Sequence, residues 1–389
     1  MKKFILPAMA LLLLTVSCSG GDSGSGNNEN GSTETKTQAD CFRLLKDTGM
    51  NAIRLRVWVD PQSPDGYGSA YCDKADTVTK AKRAQALGMD VMIDFHYSDR
   101  FTDPGAQIKP NAWKEKTLEE LTQAIHAHTT DVLQALKASG VTPKWVQVGN
   151  ELNAGMLWDE DGNTSGATWN GGTAKTPSGA ELFTFHTKNG KDDFSNFAEL
   201  LNAGSAAAKE IFPNAKIIIH VANAFKTSDL NWFFSGVEAQ NVNYDMIGLS
   251  HYPQDNSEKS WKEMNSLAIK NIQSLHKDYG KPVMICEVGV KSNSSEAASA
   301  LSEFIDGIKD LDGCQGIFYW EPQVYGGWKP DIYSTWGWNA YSMGAFTQDG
   351  TPGSCLASFS ILPDSFAKGA DISWITEMEA NGIMFYESE

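Results

Sequence analysis

An α/β barrel, the eight-stranded (β/α)8 or TIM architecture, is predicted by three observations. Short β-branched or aromatic runs alternate with amphipathic stretches, most of those runs are apolar throughout, and polar residues gather at their C-terminal ends. Strands alternating with helices pair in parallel through crossover helices, and strands apolar on both faces need cover on both sides. The polar ends mark the face on which such barrels carry their sites.

The first folded stretch, 38–48, reads as a helix with no strand before it. Strand candidates follow at 52–59, 90–96, 144–150, Lys216–Val221, 246–250, 282–288 and 316–320, separated by helical stretches that include 76–87, Leu118–Ala138, 194–212, Trp261–Tyr279 and 295–310. Seven strands is one short of closure. The chain finishes with Asp371-Ile372-Ser373-Trp374-Ile375-Thr376, read as a strand with no helix after it. That strand is expected to pair with both 52–59 and 316–320, so that a single domain spans 38–389 and 369–389 completes its barrel.

Ahead of the domain, Lys2 and Lys3 precede an apolar run from Phe4 to Val16 that is short for a membrane span, and Thr15-Val16-Ser17-Cys18 places a cysteine at the cleavage position. Residues 1–17 therefore read as a lipoprotein-type signal peptide with Cys18 as the lipidated first residue. The segment 18–37 is Gly, Ser, Asn, Glu and Thr with almost nothing apolar, which reads as a flexible tether. An exported monomer, anchored at the periplasmic or cell surface through its lipid alone, is expected.

The 389 residues carry 32 basic and 48 acidic side chains, a formal charge of −16, with no Lys/Arg cluster. Nucleic acid and anionic membrane surfaces are poor partners for such a chain. Besides Cys18, five cysteines remain: Cys41, Cys72, Cys286, Cys314 and Cys355. Their odd number and irregular spacing form neither a disulfide framework nor a metal site, so buried thiols with at most one or two bridges are expected. His126 and His128 stand two apart on a helix and face different ways. No phosphate-binding glycine loop and no G-x-S-x-G elbow occurs. No cofactor and no metal are expected.

The chemistry sits at the strand ends. Arg54 and Arg56 are read as alternating inward and outward, while His96, Asn150-Glu151, His251-Tyr252, Glu287 and Trp320 each end a strand. Glu151 closes Trp145-Val146-Gln147-Val148-Gly149-Asn150-Glu151 and Glu287 closes Val283-Met284-Ile285-Cys286-Glu287. Glycoside hydrolysis needs two such carboxylates, one to protonate the leaving oxygen and one to attack or to activate water. Asn150 could bond a sugar 2-hydroxyl. Trp158 and Trp169 follow Glu151, and Trp320, Tyr325, Trp328, Tyr333, Trp336 and Trp338 crowd the segment after the last apolar strand. Their flat rings suit the C–H faces of sugars, with Trp320 the foremost candidate.

These residues carry a family resemblance. The run Gly49-Met50-Asn51-Ala52-Ile53-Arg54-Leu55-Arg56-Val57-Trp58-Val59-Asp60-Pro61, then Asp94-Phe95-His96-Tyr97-Ser98-Asp99 with Asp103-Pro104-Gly105 and Gln107, then Gly149-Asn150-Glu151 and Glu287, resembles glycoside hydrolase family 53. That family comprises endo-β-1,4-galactanases acting on the galactan side chains of pectin. The resemblance implies a retaining double displacement on a (β/α)8 barrel, with Glu151 as acid/base and Glu287 as nucleophile. Arg54, His96, Asp99, Asn150, His251, Tyr252, Trp320 and Asp371 are the supporting set: Arg54 to keep the nucleophile ionised, Tyr252 to orient it, Asn150 to hold the sugar. A carboxylate separation of about 5 Å is expected for retention.

Two departures from the family pattern stand out. Family members begin with a strand like Gly369-Ala370-Asp371-Ile372-Ser373, followed by a glutamate and an aromatic like Glu377 and Phe385. Here that piece comes last, which implies a circularly permuted order with new ends in the loop after that strand, on the catalytic side. Some members also hold calcium after the nucleophile strand, but Val290-Lys291-Ser292-Asn293-Ser294-Ser295-Glu296 offers one carboxylate, so no calcium is expected there. Another two-Glu barrel endo-glycanase, such as a xylanase or mannanase, and a non-catalytic glycan-binding lipoprotein are the competing readings.

Overall fold

The computed structural model describes residues 36–158 and 193–387. The signal peptide, Cys18, most of the tether and Trp169 lie outside them.

Eight parallel strands close into a barrel in chain order: β1 Ala52–Val57, β2 Asp90–Phe95, β3 Trp145–Val148, β4 Lys216–Val221, β5 Met246–His251, β6 Val283–Val288, β7 Cys314–Trp320 and β8 Ala367–Asp371. Around them lie α1 Cys41–Asp47, α2 Lys74–Ala86, α3 Leu118–Ala138, α4 Ser195–Ile211, α5 Thr227–Ala239, α6 Trp261–Tyr279, α7 Ala297–Ile308, α8 Asp331–Trp336 and α9 Ile375–Ala380. Local chemistry starts several of these helices. Thr117 with Glu120 and Ser260 with Glu263 form reciprocal capping boxes at α3 and α6, and Asp40 accepts the Phe42 and Arg43 backbone N–H groups at α1.

The parity of each strand sorts its side chains. Ile53, Leu55 and Val57 of β1 face the helices and join the large outer core, whereas Ala52, Met92, Trp145, Ile218, Met246, Met284, Cys286, Phe318 and Ala367 fill the barrel interior. The interior is packed tightly enough that a Cβ on Gly369 would stand 2.2 Å from the Phe318 ring. Above this apolar plug, the inward positions turn polar. Arg54 and Arg56 belong to that same inward parity and are both buried, so the alternation expected for them is wrong: residues two apart on a strand share a face.

The closing strand is β8, hydrogen-bonded to β7 and to β1, as a C-terminal strand completing the barrel requires. Its position differs from the 371–376 expected. The strand is Ala-Lys-Gly-Ala-Asp, and it stops where the Ser373 hydroxyl and backbone N–H donate to Asp371 Oδ1 at 2.6 and 3.0 Å, turning the chain into α9. Ile372 and Ile375 are β-branched, yet the strand lies before them, because two waiting neighbours impose extended pairing on a segment of weak intrinsic preference.

α9 also corrects the reading of a bare terminal strand. Beyond it the chain returns to the residues just before α1: the Ala39 N–H donates to the Phe385 carbonyl and the Glu387 N–H to that of Thr37, both at 2.9 Å, and Gln38 bridges antiparallel to Tyr386. Arg83 of α2 clamps the junction, binding Asp40 before α1 and Glu379 in α9 with 2.7 Å contacts. The first and last described residues thus meet between α9 and α1, and not in the loop directly after the closing strand where the sequence reading places the new ends.

Cys41, Cys72, Cys286 and Cys314 are buried free thiols and Cys355 is half-buried. Among the described residues no helix is long and apolar enough to cross a membrane.

A chain ending at Leu362 loses β8 and α9, leaves β1 and β7 with open edges and removes Asp371 from Arg54. It is expected to show no cooperative thermal transition by circular dichroism, whereas a chain ending at Glu387 melts as one unit.

Candidate active site

At the C-terminal ends of the strands a cleft of about 200 Å³ is lined by His96, Phe101, Thr102, Asp103, Asn150, Glu151, Tyr252, Glu287, Trp320, Tyr333 and Trp338. Each side chain arrives there for a local reason. Glu151 leaves β3 after Gly149, whose φ is +83°, and itself adopts a left-handed φ of 48° and ψ of 53°. A non-glycine residue in that region is strained, and the strain is held by neighbours: Gln107 Nε2 donates to the Asn150 and Glu151 carbonyls at 2.8 and 3.3 Å. Glu287 is aimed by a bulge between β5 and β6, where the register passes from Leu249 with Ile285 to Ser250 with Glu287 and skips Cys286.

The two carboxylates approach within 4.8 Å, oxygen to oxygen. Glu287 is held on both oxygens, by Arg54 Nη2 at 3.0 Å on Oε1 and by the Tyr252 hydroxyl at 2.8 Å on Oε2. Glu151 Oε1 accepts from Ser250 Oγ at 2.6 Å. Burial pushes the Glu287 carboxyl up to about 7 even though Arg54 and Tyr252 favour its charged form. Glu151 is driven well above the usual carboxylate range by burial first and by the charge of Glu287 second. The pair therefore gives up its first proton from Glu287 and retains the second on Glu151.

Arg54 organises the floor. Its Nη1 binds Asp371 at 2.8 Å, its Nη2 binds Asp94 and Asn150 Oδ1 at 2.8 Å, and its Nε donates to Gln147 Oε1 at 3.1 Å. Burial alone would favour its neutral form, but Asp94, Glu287 and Asp371 outweigh burial and keep the guanidinium charged. His96 accepts the Thr102 backbone N–H on Nδ1 at 3.0 Å, so its Nε2 carries the hydrogen that faces Asp94 Oδ2 at 2.9 Å. Arg56 stands beside this network, paired with Glu321 at 2.5 Å and enclosed by the rings of Phe101, Trp374, Trp58 and Trp320 at 4.7 to 6.0 Å.

The structure brings Glu151, Glu287, Arg54, His96, Asn150, Tyr252, Trp320 and Asp371 together, and it leaves out two residues expected with them. His251 has outward parity: its Nε2 meets Asn265 Oδ1 of α6 at 2.8 Å and its ring lies against Phe304 of α7. Asp99 ties loops together, accepting the Asp60 and Asn111 backbone N–H groups and the Ser63 hydroxyl at 2.7 to 2.9 Å. Trp158 is fully buried with its indole N–H on the Ala154 carbonyl, which removes it as a sugar platform. Trp338, 44% exposed, stays at the cleft edge.

Sequence reasoning missed Asp94, Gln147, His220, Ser250 and Glu321 as members of the buried network. Their signal was available: each is a polar residue in or directly after an apolar strand. For the first four, the inward parity that Arg54 and Phe318 share marks them further. Glu151, His220 and Glu287 form the one cluster of metal-ligand type among the described residues. Both ring nitrogens of His220 are engaged, Nε2 with Ser250 Oγ at 2.8 Å and Nδ1 with Gln147 Nε2 at 3.1 Å, so the set reduces to two carboxylates beside the Arg54 cation, which is a poor cation site.

The sequence profile of Glycosyl hydrolase family 53 matches residues 20–362. The chain belongs to glycosyl hydrolase family 53. Among curated relatives, it is 30% identical over 313 residues, 73% of each chain, to the arabinogalactan endo-β-1,4-galactanase of Cellvibrio japonicus. It is 36% identical over 250 residues to an uncharacterized protein in the bgaB 5′ region of Niallia circulans, covering 64% of this chain and 60% of that one. Among solved structures, the catalytic domain of a family 53 protein from Ignisphaera aggregans superposes with a TM-score of 0.66 at 26% identity, covering 84% of this chain and 89% of that one. A fungal β-1,4-galactanase does so with a TM-score of 0.62 at 25% identity, covering 82% and 90%.

In this family 53 chain the Tyr252 hydroxyl stabilises the ionised form of Glu287, so Tyr252→Phe is expected to raise the Glu287 titration midpoint above its starting value of about 7. A carboxyl-carbon NMR titration of glutamate-labelled protein reads that shift; an unchanged or lower midpoint contradicts it.

Proposed function

We propose that this protein is an endo-acting, retaining β-1,4-galactanase that cleaves galactan and the type I arabinogalactan side chains of pectin. The reading is carried by one observation within a family 53 barrel: two buried carboxylates face each other across the cleft with oxygens within 4.8 Å. Such spacing leaves no room for a water between carboxylate and sugar and suits attack by one of the two, at about 5 Å for retention.

Glu287 is the nucleophile in this reading. Held by Arg54 and Tyr252, its carboxylate attacks the anomeric carbon, while Glu151, kept protonated by burial and by its neighbour's charge, delivers its proton to the departing galactosyl oxygen. Once Glu287 is esterified its charge is gone, Glu151 loses the reason to hold a proton, and it acts as base toward the incoming water. Asn150 and the rings of Trp320 and Trp338 hold the sugar at the mouth. The names of the Cellvibrio and fungal relatives support galactan over xylan or mannan as the substrate.

The proposal includes residues 1–17 as signal peptide, lipidation at Cys18, a tether over 18–37, and a monomeric catalytic domain over 38–389 that is exported and anchored at the membrane surface by its lipid. It also includes circular permutation. Two observations support that order: the family profile stops at residue 362, short of β8 and α9, and residues 37–39 pair with residues 385–387 between α9 and α1.

Reducing-sugar release from linear β-1,4-galactan, with xylan and mannan in parallel, is the test. Release from galactan is expected, with retention of anomeric configuration by NMR, loss of turnover in Glu287→Ala, and a fall of about 10²- to 10⁴-fold in Glu151→Ala. Release from xylan or mannan alone points to a different endo-glycanase. Binding to a galactan affinity gel without release points to a carbohydrate-binding lipoprotein.

A further inference from the structure

Behind Glu151 stand two side chains that the chemistry above does not use. Ser250 on β5 is 1% exposed and His220 on β4 is fully buried, and both point inward beneath the cleft. Ser250 Oγ donates to Glu151 Oε1 at 2.6 Å and meets His220 Nε2 at 2.8 Å. A serine hydroxyl has one hydrogen. With it directed to the carboxylate, His220 must donate from Nε2, and its Nδ1 becomes an acceptor facing Gln147 Nε2 at 3.1 Å and the Glu151 backbone N–H at 3.4 Å. Burial and the Arg54 charge hold the ring neutral, so one tautomer carries this arrangement. The opposite tautomer would donate from Nδ1 to Asn150 Oδ1 at 2.9 Å and draw the Ser250 hydrogen away from Glu151.

We propose that Ser250 and His220 are positioning residues for Glu151: the imidazole Nε2–H orients the Ser250 hydroxyl, which occupies Oε1 and confines the transferable proton to Oε2, the oxygen left to the cleft. The proposal rests on Glu151 being the acid/base. It explains why a histidine and a serine stand at inward positions of two strands whose central residues are apolar. It also accounts for the strained backbone at Glu151, since the same imidazole receives that residue's N–H while the serine holds its carboxylate. The charged and titratable groups facing Glu151 are Glu287 from β6, Arg54 from β1, Asp103 from the loop after β2 and Tyr252 after β5. Beside these, Ser250 supplies a neutral donor to the carboxylate itself. Losing that donor destabilises the ionised form, so the pH above which the acid is spent moves upward.

Ser250→Ala, with Ser250→Thr as the conservative variant, tests this on linear β-1,4-galactan and on the dinitrophenyl glycoside of β-1,4-galactobiose, whose leaving group departs without a proton. Ser250→Ala is expected to lower kcat on galactan by about 10- to 100-fold with KM little changed, as misplacement of a catalytic group does. The burst of dinitrophenolate should fall far less, the basic limb of kcat/KM on galactan should move to higher pH, and Ser250→Thr should restore both. Equal losses on the two substrates with the basic limb unmoved overturn the proposal. Nitrogen-15 shifts of His220 in the protein without substrate give a second reading at neutral pH: protonation on Nε2 is expected, and protonation on Nδ1 overturns the relay whatever the activity. Absence of turnover on both glycosides by the unaltered protein defeats the galactanase reading itself, and the His220 tautomer still decides the relay.

Discussion

One buried cation holds the mouth of this barrel together. The Arg54 guanidinium reaches Asp94, Glu287 and Asp371, which come from β2, β6 and β8, and adds the amide oxygens of Gln147 and Asn150. Three carboxylates buried in that space without it would repel one another and be forced to take up protons. A planar group with five N–H donors in a fixed fork serves several partners at once, which a lysine ammonium in the same place does not. The network also joins strands far apart in sequence: Asp371 lies 317 residues from Arg54 yet binds it at 2.8 Å. Closing the barrel and neutralising the floor of the cleft are the same event.

The proton inventory of the cleft follows from that cation and from burial. Arg54 stands against Glu287 and holds its ionisation down to about 7, while Glu151, with a serine hydroxyl as its donor, is left to feel both burial and its neighbour's charge. Two like carboxyl groups thereby acquire different affinities for one proton from their surroundings alone. Strain at Glu151 belongs to the same design. Its left-handed backbone is kept by Gln107, His220 and Ser250, all buried, so the conformation is over-determined by contacts on three sides.

Much of this was legible in the chain. The positions of β1 to β7 follow the apolar runs to within two residues at each end, since a strand buried on both faces writes itself as a continuous hydrophobic segment. Glu151 and Glu287 were legible because a carboxylate directly after such a segment has few places to go but the mouth. The errors have separate causes. β8 was misplaced because Ala-Lys-Gly-Ala-Asp has little strand preference and becomes extended through its two partners. Ser250, and not its expected neighbour His251, faces the cleft because strand parity decides which of two adjacent residues points inward. Asp99 belongs to a motif and was grouped with the site, but its oxygens are spent on the backbone of its own loops.

The sequence by itself determined the barrel, the strand ends that carry the polar residues and the two carboxylates, because those depend on hydrophobic periodicity and on residue type at a strand terminus. Only the tertiary structure decided which of two adjacent polar residues enters the cleft, how the Glu151 and Glu287 oxygens come within 4.8 Å, and that residues 37–39 pair with residues 385–387. The physical reason is that each of these depends on a contact between segments distant in sequence. A bulge between β5 and β6, a guanidinium shared by three strands and an antiparallel clip between residues near 37 and 387 leave no periodic trace in the chain, and each exists only once the barrel has closed.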